Sequence, residues 1–312
     1  LSLPFRDNIV ITYHAVKDIA WFAQTIELLK RFYEIIPIED VDAYYRHNKI
    51  YRSTCVISFD DGDESFYNNV FPILKKLNIP AVLYVSPKKI LERKNFWFQE
   101  IKNYDKIKLK KIIADYISID DYLIRDFNEN SILKCLKIYQ IEEIISNYKN
   151  KTKEDNLNCQ LIKRDQLIEL HKSGLVTIGA HTQNHPILAN EDDKSSEYEI
   201  SHSIKELSSL IDNEIKYFAY PNGTKNLDYT QREIDILNKN GISISVSSNI
   251  NDYIHTDNRQ EVPRIGITYG SNLFIIGKII LGKNWEKLKI KNNEENQRLK
   301  IYSILKNFDK LL

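Results

Sequence analysis

Seven short runs rich in β-branched residues punctuate the chain: residues 8–12 (NIVIT), 55–59 (CVISF), 81–85 (AVLYV), 175–179, 217–220, 242–246 and 262–267. Most are followed by a stretch with helical period. Ile19, Phe22, Ile26, Leu29 and Phe32 mark one face of a helix, and similar patterns occupy 66–77, 165–171, 197–211 and 231–238. Apolar residues at helical spacing bury one stripe, and short β-branched runs suit strands covered on both faces. Strands alternating with helices predict a parallel α/β fold, and a closed or nearly closed barrel of the distorted (β/α)7 type is its economical form. A chain of 312 residues can bury the core of one such domain.

One region breaks the rhythm. Residues 95–160 contain no Gly or Pro and carry helical spacing at Leu109, Ile112, Ile113 and Tyr116, then at Ile141, Ile144, Ile145 and Tyr148. They read as a helical insertion between two barrel strands, serving as a cap, a lid or a docking surface. The tail from about 283 reads as helical and charged. With 44 basic and 43 acidic residues, the net charge of +1 gives no electrostatic reason to expect nucleic acid. The most apolar stretch, 273–281, is interrupted by Gly277 and Lys278 and falls short of the roughly 20 residues a spanning helix needs. It reads as a core segment or a surface that could rest against lipid. Cys55, Cys135 and Cys159 are odd in number and form no C-x-x-C unit, which favours reduced structural thiols and a cytoplasmic setting. The chain does not begin with Met, so removal of a leader would make the setting extracytoplasmic.

The chemistry-bearing residues sit where the strands end. NIVITY runs into His14, CVISF into Asp60-Asp61-Gly62-Asp63, and VTIGA into His181-Thr-Gln-Asn-His185-Pro186. KYFA runs into Tyr220-Pro221-Asn222-Gly223, and the last strand carries Pro263-Arg264. Strand C-terminal ends form the active face of β/α barrels, so residues far apart in sequence can converge there. Asp-Gly clusters also make ordinary turns, and two histidines four apart could be surface groups. Together they offer two imidazole nitrogens and one carboxylate, a set that holds a divalent ion and leaves coordination positions open. The second carboxylate is then free to act as a base.

SFDDG with a following helix and IPAVLYVSP, then IGAHTQNHP, then FAYPNG, resembles the polysaccharide deacetylases (carbohydrate esterase family 4, the NodB-homology domain). The similarity covers about 8–267 apart from most of the insertion. Tyr13-His14-Ala15-Val16 is similar to the YHxV start of the branch typified by poly-N-acetylglucosamine deacetylases. The resemblance implies a hydrolase of linear amide C–N bonds that removes N-acetyl groups from N-acetylhexosamine residues of a glycan. By the same resemblance Asp61, His181 and His185 hold one divalent metal, with zinc the default and cobalt, nickel or iron compatible, while Asp60 is the general base. Better-known members carry an Arg and a Tyr in the third motif, where this chain has Ala219 and Asn222. Asn222 would then offer its backbone N–H to the oxyanion. Arg264 is the substitute for the missing Arg, or alternatively a structural ion pair on the barrel rim. In the YHxV branch the acid comes from the first strand, which assigns it to His14. His47, His171 and His202 read as surface groups, and His255 is a reserve acid. Three alternatives stay open: a deacylase of a lipid-linked or small amino sugar, a glycan-binding module weakened in catalysis, and a dehalogenase-like phosphatase. The last would want Asp-x-Asp rather than adjacent aspartates.

Overall fold

The computed structural model describes residues 8–47, 53–154, 157–248, 258–282 and 294–308. Its strands are β1 (Ile9–Tyr13), β2 (Glu34–Ile35), β3 (Thr54–Phe59), β4 (Ala81–Val85), β5 (Val176–Ala180), β6 (Tyr217–Ala219), β7 (Ile244–Ser247), β8 (Val262–Pro263) and β9 (Ile265–Gly266). All pair in parallel, in the order β8-β7-β6-β5-β4-β3-β1-β9, with the short β2 added beside β3. The last predicted strand is two short pieces on either side of Arg264. β8 pairs with β7 and β9 with β1, so this one segment joins the two ends of the sheet and closes the ring. The seven-stranded barrel expected from the pattern is therefore present; only the small β2 was not anticipated.

Alternation along each strand sorts the core into two layers. Ile9, Ile11 and Tyr13 of β1 pack with the surrounding helices, whereas Val10 joins Val56, Val82, Tyr84, Ile244 and Val246 in a separate inner cluster. Ile36, Ile38, Val41, Tyr217, Ala219 and Val262 belong to the same inner cluster. The barrel is thus filled with side chains, and polar groups are left to the strand ends.

The insertion and the tail are helical, but they are not independent. Helices Lys106–Ile117, Glu129–Leu133 and Ile138–Thr152 build a second hydrophobic cluster, and Ile301 and Leu305 of helix Glu294–Asn307 are buried in it. Burying each such side chain stabilises by roughly 1.5–3 kcal/mol, so the tail helix is held largely by the insertion. Asn190 of the barrel ties them further. Its Nδ2 donates to the carbonyls of Lys134 and Leu136, both at 3.0 Å, and its Oδ1 accepts from the Tyr302 hydroxyl at 2.6 Å. On leaving the insertion the chain clamps the aspartate loop, with Ile162 N–H donating to Gly62 O at 2.9 Å and Glu64 N–H to Gln160 O at 2.8 Å.

The apolar stretch 273–281 lies in helix Asn272–Leu281, which buries Ile275 and leaves Leu273 81% exposed, so it is a core segment on one side only. Among the described residues no helix is long and apolar enough to cross a membrane. Cys55 and Cys135 are buried, and all three cysteines are free thiols.

Candidate active site

Asp60 ends β3 as its N–H donates to Tyr13 O at 3.0 Å, and Asp61 then turns sharply, with φ +71° and a Gly62 N–H to Asp60 O bond of 2.9 Å. A hydrogen bond across one residue of positive φ is the rare and strained form of γ-turn. Gly62 follows because a Cβ there would lie 2.9 Å from Val85 at φ +71°. After β5, Thr182 and His185 are also left-handed, at +62° and +61°. The Thr182 hydroxyl accepts from His185 N–H at 3.0 Å and donates to His181 O at 2.5 Å. Asn222 repeats the aspartate turn, with φ +59° and Gly223 N–H to Pro221 O at 2.7 Å. Most other positive-φ non-glycine residues cap helix ends. Four unfavourable backbones at Asp61, Thr182, His185 and Asn222 mark a place where side-chain direction is held against local preference.

These turns bring the two motifs together. Asp61 Oδ1 lies 3.7 Å from His181 Nε2 and 3.7 Å from His185 Nε2, and all three residues are buried. Ligand atoms about 2.1 Å from a tetrahedral ion sit about 3.4 Å apart; the three ligand atoms here lie within 4.8 Å of one another, so the set can hold a divalent cation once it draws together around the ion. His181 Nδ1 is 2.7 Å from Ala219 O, which fixes the tautomer and leaves the Nε2 lone pair facing Asp61. Asp61 Oδ1 has no hydrogen-bond partner, nor does His185 Nδ1. Burial, with the neighbouring Asp60 and Asp63 carboxylates, pushes the Asp61 carboxyl above its usual range against the pull of His14 and His181. Burial and His181 push His185 well below the ordinary histidine value, so it is a neutral imidazole. An orphaned carboxylate oxygen beside two imidazole nitrogens is a donor set that a cation completes.

Asp60 has the opposite environment. Arg264, only 2% exposed, grips it with both arms: Nη1 to Oδ1 at 2.7 Å and Nη2 to Oδ2 at 2.9 Å. The guanidinium is itself held by Thr12 Oγ1 at 3.2 Å and Ser247 O at 3.4 Å, and lies over the Tyr84 ring. Burial alone would raise the Asp60 carboxyl, but the charges of Arg264 and His181 bring it down to about 2. Arg264 is thus an ion pair buried within the barrel mouth, in direct contact with Asp60. The break between β8 and β9 falls at this residue.

His14 and Asn222 line the same cavity, of about 640 Å³, with Asp60, Asp61, His181 and His185. His14 is exposed on the turn after β1. Ser65 and Asn69 brace that turn from the aspartate side, through Val16 N–H to Ser65 Oγ and Asn69 Nδ2 to Val16 O, both at 2.8 Å. His171 and His202 lie on helices away from the cavity lining, and His202 stacks on Tyr198. His255 and the side chain of His47 lie outside the described residues.

Two supports were not visible in the sequence. Glu199, buried in helix Asp193–Ile211, accepts from Gln183 N–H, Asn184 N–H and Asn184 Nδ2 at 2.7–2.9 Å, and so braces the loop between the two histidines. Trp97 and Phe98 enter from the insertion. Trp97 Nε1 donates to His185 O at 3.3 Å, and the Phe98 ring meets the His185 ring edge-on with centroids 5.0 Å apart. A Glu in a helical pattern and two aromatics at an insertion boundary carry no motif that would have singled them out.

With this geometry in place, similarity to known proteins becomes informative. A sequence model of the family described as polysaccharide deacetylase matches residues 48–244, more than half of the chain. The chain belongs to the polysaccharide deacetylase family. Among curated members, a poly-β-1,6-N-acetyl-D-glucosamine N-deacetylase of Staphylococcus aureus is 23% identical over 192 residues, covering 55% of this chain and 65% of that protein. The chain thus spans slightly under two thirds of such relatives. The fold is shared with the Streptococcus pyogenes deacetylase PplD in complex with acetate (TM-score 0.58, 17% identity, 88% of this chain and 98% of that one). IcaB from Ammonifex degensii gives the same TM-score at 18% identity, over 88% and 97% of the two chains. Within this family fold, the matched region contains the aspartate pair and both histidines but not His14 or Arg264.

Proposed function

We propose that this chain is a metal-dependent deacetylase that hydrolyses the N-acetyl group of N-acetylhexosamine residues in a glycan. The observation that carries the reading is the Asp61–His181–His185 triad, with its ligand atoms within 4.8 Å of one another, beside an Asp60 carboxylate ion-paired to Arg264 in one cavity. Family membership and curated relatives named as poly-β-1,6-N-acetyl-D-glucosamine N-deacetylases support an acetylated glucosamine polymer as the substrate. A divalent ion held by the triad, zinc by donor type, would polarise the acetamide carbonyl and acidify a water, which lets even a weak base take its proton.

Asp60 is that base. Its charge persists across the working pH range, and Arg264 fixes the plane of the carboxylate, so its remaining lone pairs have one direction. The backbone N–H of Asn222, a residue that lines the cavity, is assigned as the donor to the developing oxyanion, an interaction typically worth about 3–4 kcal/mol. An amine leaves only when protonated, and His14, exposed and lining the cavity, is the residue assigned to give that proton. The test is acetate release from β-1,6- and β-1,4-linked N-acetylglucosamine oligomers, before and after chelation and with zinc, cobalt or nickel restored. Acetate release that disappears on chelation and returns with metal supports the reading. Oligomer binding without any acetate release would instead assign the chain as a glycan-binding module.

A further inference from the structure

The barrel rim beside the catalytic cavity carries an open groove of about 680 Å³. It lies between the N-termini of helix Ile19–Lys30, which follows β1, and helix Asn272–Leu281, which follows β9. Trp21, Tyr269 and Leu273 line it, together with the polar side chains of Asp18, Gln24 and Asn272. β1 and β9 are paired neighbours, and the loops that leave them serve both hollows. His14 and Gly266 line the catalytic cavity, whereas Asp18 and Tyr269 line the groove. The chain spans at most about 14 Å from His14 to Asp18 and about 11 Å from Gly266 to Tyr269. One extended ligand can therefore reach both.

The frame of the groove is held by specific bonds. Trp21 Nε1 donates to Gly270 O at 2.8 Å, which ties the first loop to the last, and the Trp21 ring meets Tyr13 edge-on with centroids 6.0 Å apart. The Asp18 carboxylate caps the first helix by accepting from Trp21 N–H at 2.9 Å, and Ser271 Oγ caps the second by accepting from Phe274 N–H at 3.3 Å. On that frame the Tyr269 ring stands 5.5 Å from the Trp21 ring at a tilt of 44°, and Tyr269 is 72% exposed. Aromatic surface left in water beside polar side chains suits a ligand with an apolar face and a hydroxyl rim. A pyranose ring is such a ligand, because its axial C–H groups complement the electron-rich face of an aromatic ring. A lipid surface fits less well, since the groove is concave and the Asp18 carboxylate repels anionic headgroups.

We infer that the Trp21–Tyr269 groove is a distal sugar subsite, which stacks a pyranose residue of the same glycan chain whose acetylated residue lies at the triad. This rests on the deacetylase reading for its ligand but not for its measurement. Tyr269 supplies the stacking face, and Trp21 positions it through the loop that its indole N–H ties down. Holding a polymer at two linked points makes the second contact intramolecular, so the groove favours long chains over short ones.

The experiment is calorimetric binding of N-acetylglucosamine dimers and hexamers, β-1,6- and β-1,4-linked, to the metal-loaded full chain carrying Asp60→Asn to suppress turnover. This parent should bind the hexamer of the preferred linkage roughly tenfold or more tightly than the dimer. Adding Tyr269→Ala should raise the hexamer Kd about tenfold, the size expected of one stacked ring, and erase most of that advantage with metal content unchanged. Tyr269→Phe keeps the ring face and should stay within about twofold of the parent. A hexamer advantage that survives Tyr269→Ala, an equal loss in Tyr269→Phe, or no length preference in the parent overturns the inference. So does a Tyr269→Ala variant whose only defect is in binding phosphatidylglycerol vesicles, the outcome expected of a lipid-docking face. Length-dependent binding that responds to Tyr269, in a chain whose wild type never releases acetate, would refute the deacetylase reading and leave the subsite standing. Acetate release by a chain with no length preference would do the reverse.

Discussion

Removing Arg264 should expose how much of this site is electrostatic. Asp60 is 5% exposed and both its oxygens are bound by the guanidinium, so Arg264→Ala leaves a buried carboxylate with no counter-charge. Breaking such a pair from one side costs about 3–5 kcal/mol. The sign with pH follows from Asp60. In the wild type its carboxyl is held at about 2, below the ordinary value, so the ionised pair contributes stability that is present at neutral pH and fades only as pH falls towards 2. Held at about 2, the group contributes on the order of 2–3 kcal/mol net of its own burial. In the variant, burial acts unopposed by the guanidinium and favours the protonated form, so the penalty grows as pH rises above about 4. Urea unfolding followed by tryptophan fluorescence, in chelator so that metal binding does not contribute, should give a wild-type-minus-variant difference that is large at pH 7 and shrinks toward pH 4. Adding Asp60→Asn to Arg264→Ala should recover part of the loss, because a neutral amide tolerates the empty site better. A loss under about 1 kcal/mol, or one that does not change with pH, would refute the buried-pair reasoning.

Three further outcomes are expected. His14→Ala should retain metal and lose most acetamide turnover while an activated acetyl ester with a good leaving group is much less impaired; equal slowing of both substrates would remove His14 as the acid. Glu191, 4% exposed and accepting from Ile138 N–H at 2.7 Å, is pushed up to about 7 by burial. Its contribution to stability is therefore full below about pH 4 and lost as pH rises through 7, so Glu191→Gln should unfold at higher urea than wild type at pH 8, by up to about 3 kcal/mol, and a variant that tracks wild type at every pH contradicts this. Glu199→Ala should loosen the loop between the histidines and weaken metal affinity by roughly 10–100-fold, with unchanged affinity assigning Glu199 to stability alone.

Much of the site could be read from the sequence because its parts sit at strand ends, where short apolar runs stop and polar residues begin. Asp60, Asp61, His181 and His185 were legible that way, and Arg264 was legible as the cation carried within the last run. Their relative placement was not, because it depends on left-handed turns at Asp61, Thr182 and His185 that no spacing rule encodes. The closure of the barrel through a strand broken at Arg264 was hidden for the same reason: 262–267 reads as one run, and only tertiary pairing divides it. The insertion and tail were each legible as helices from their period. That Ile301 and Leu305 complete the insertion's cluster is a long-range packing choice, invisible to a local pattern.

The central claim is that Asp61, His181 and His185 form a divalent metal site. It is tested most directly by titrating zinc into chelator-stripped protein, with the bound metal counted by elemental analysis, for wild type, Asp61→Asn and His185→Ala. The expected result is one tightly bound ion per wild-type chain and sharply weakened retention in both folded variants. Undiminished occupancy in the variants, or a wild-type chain that binds no ion, would contradict the assignment.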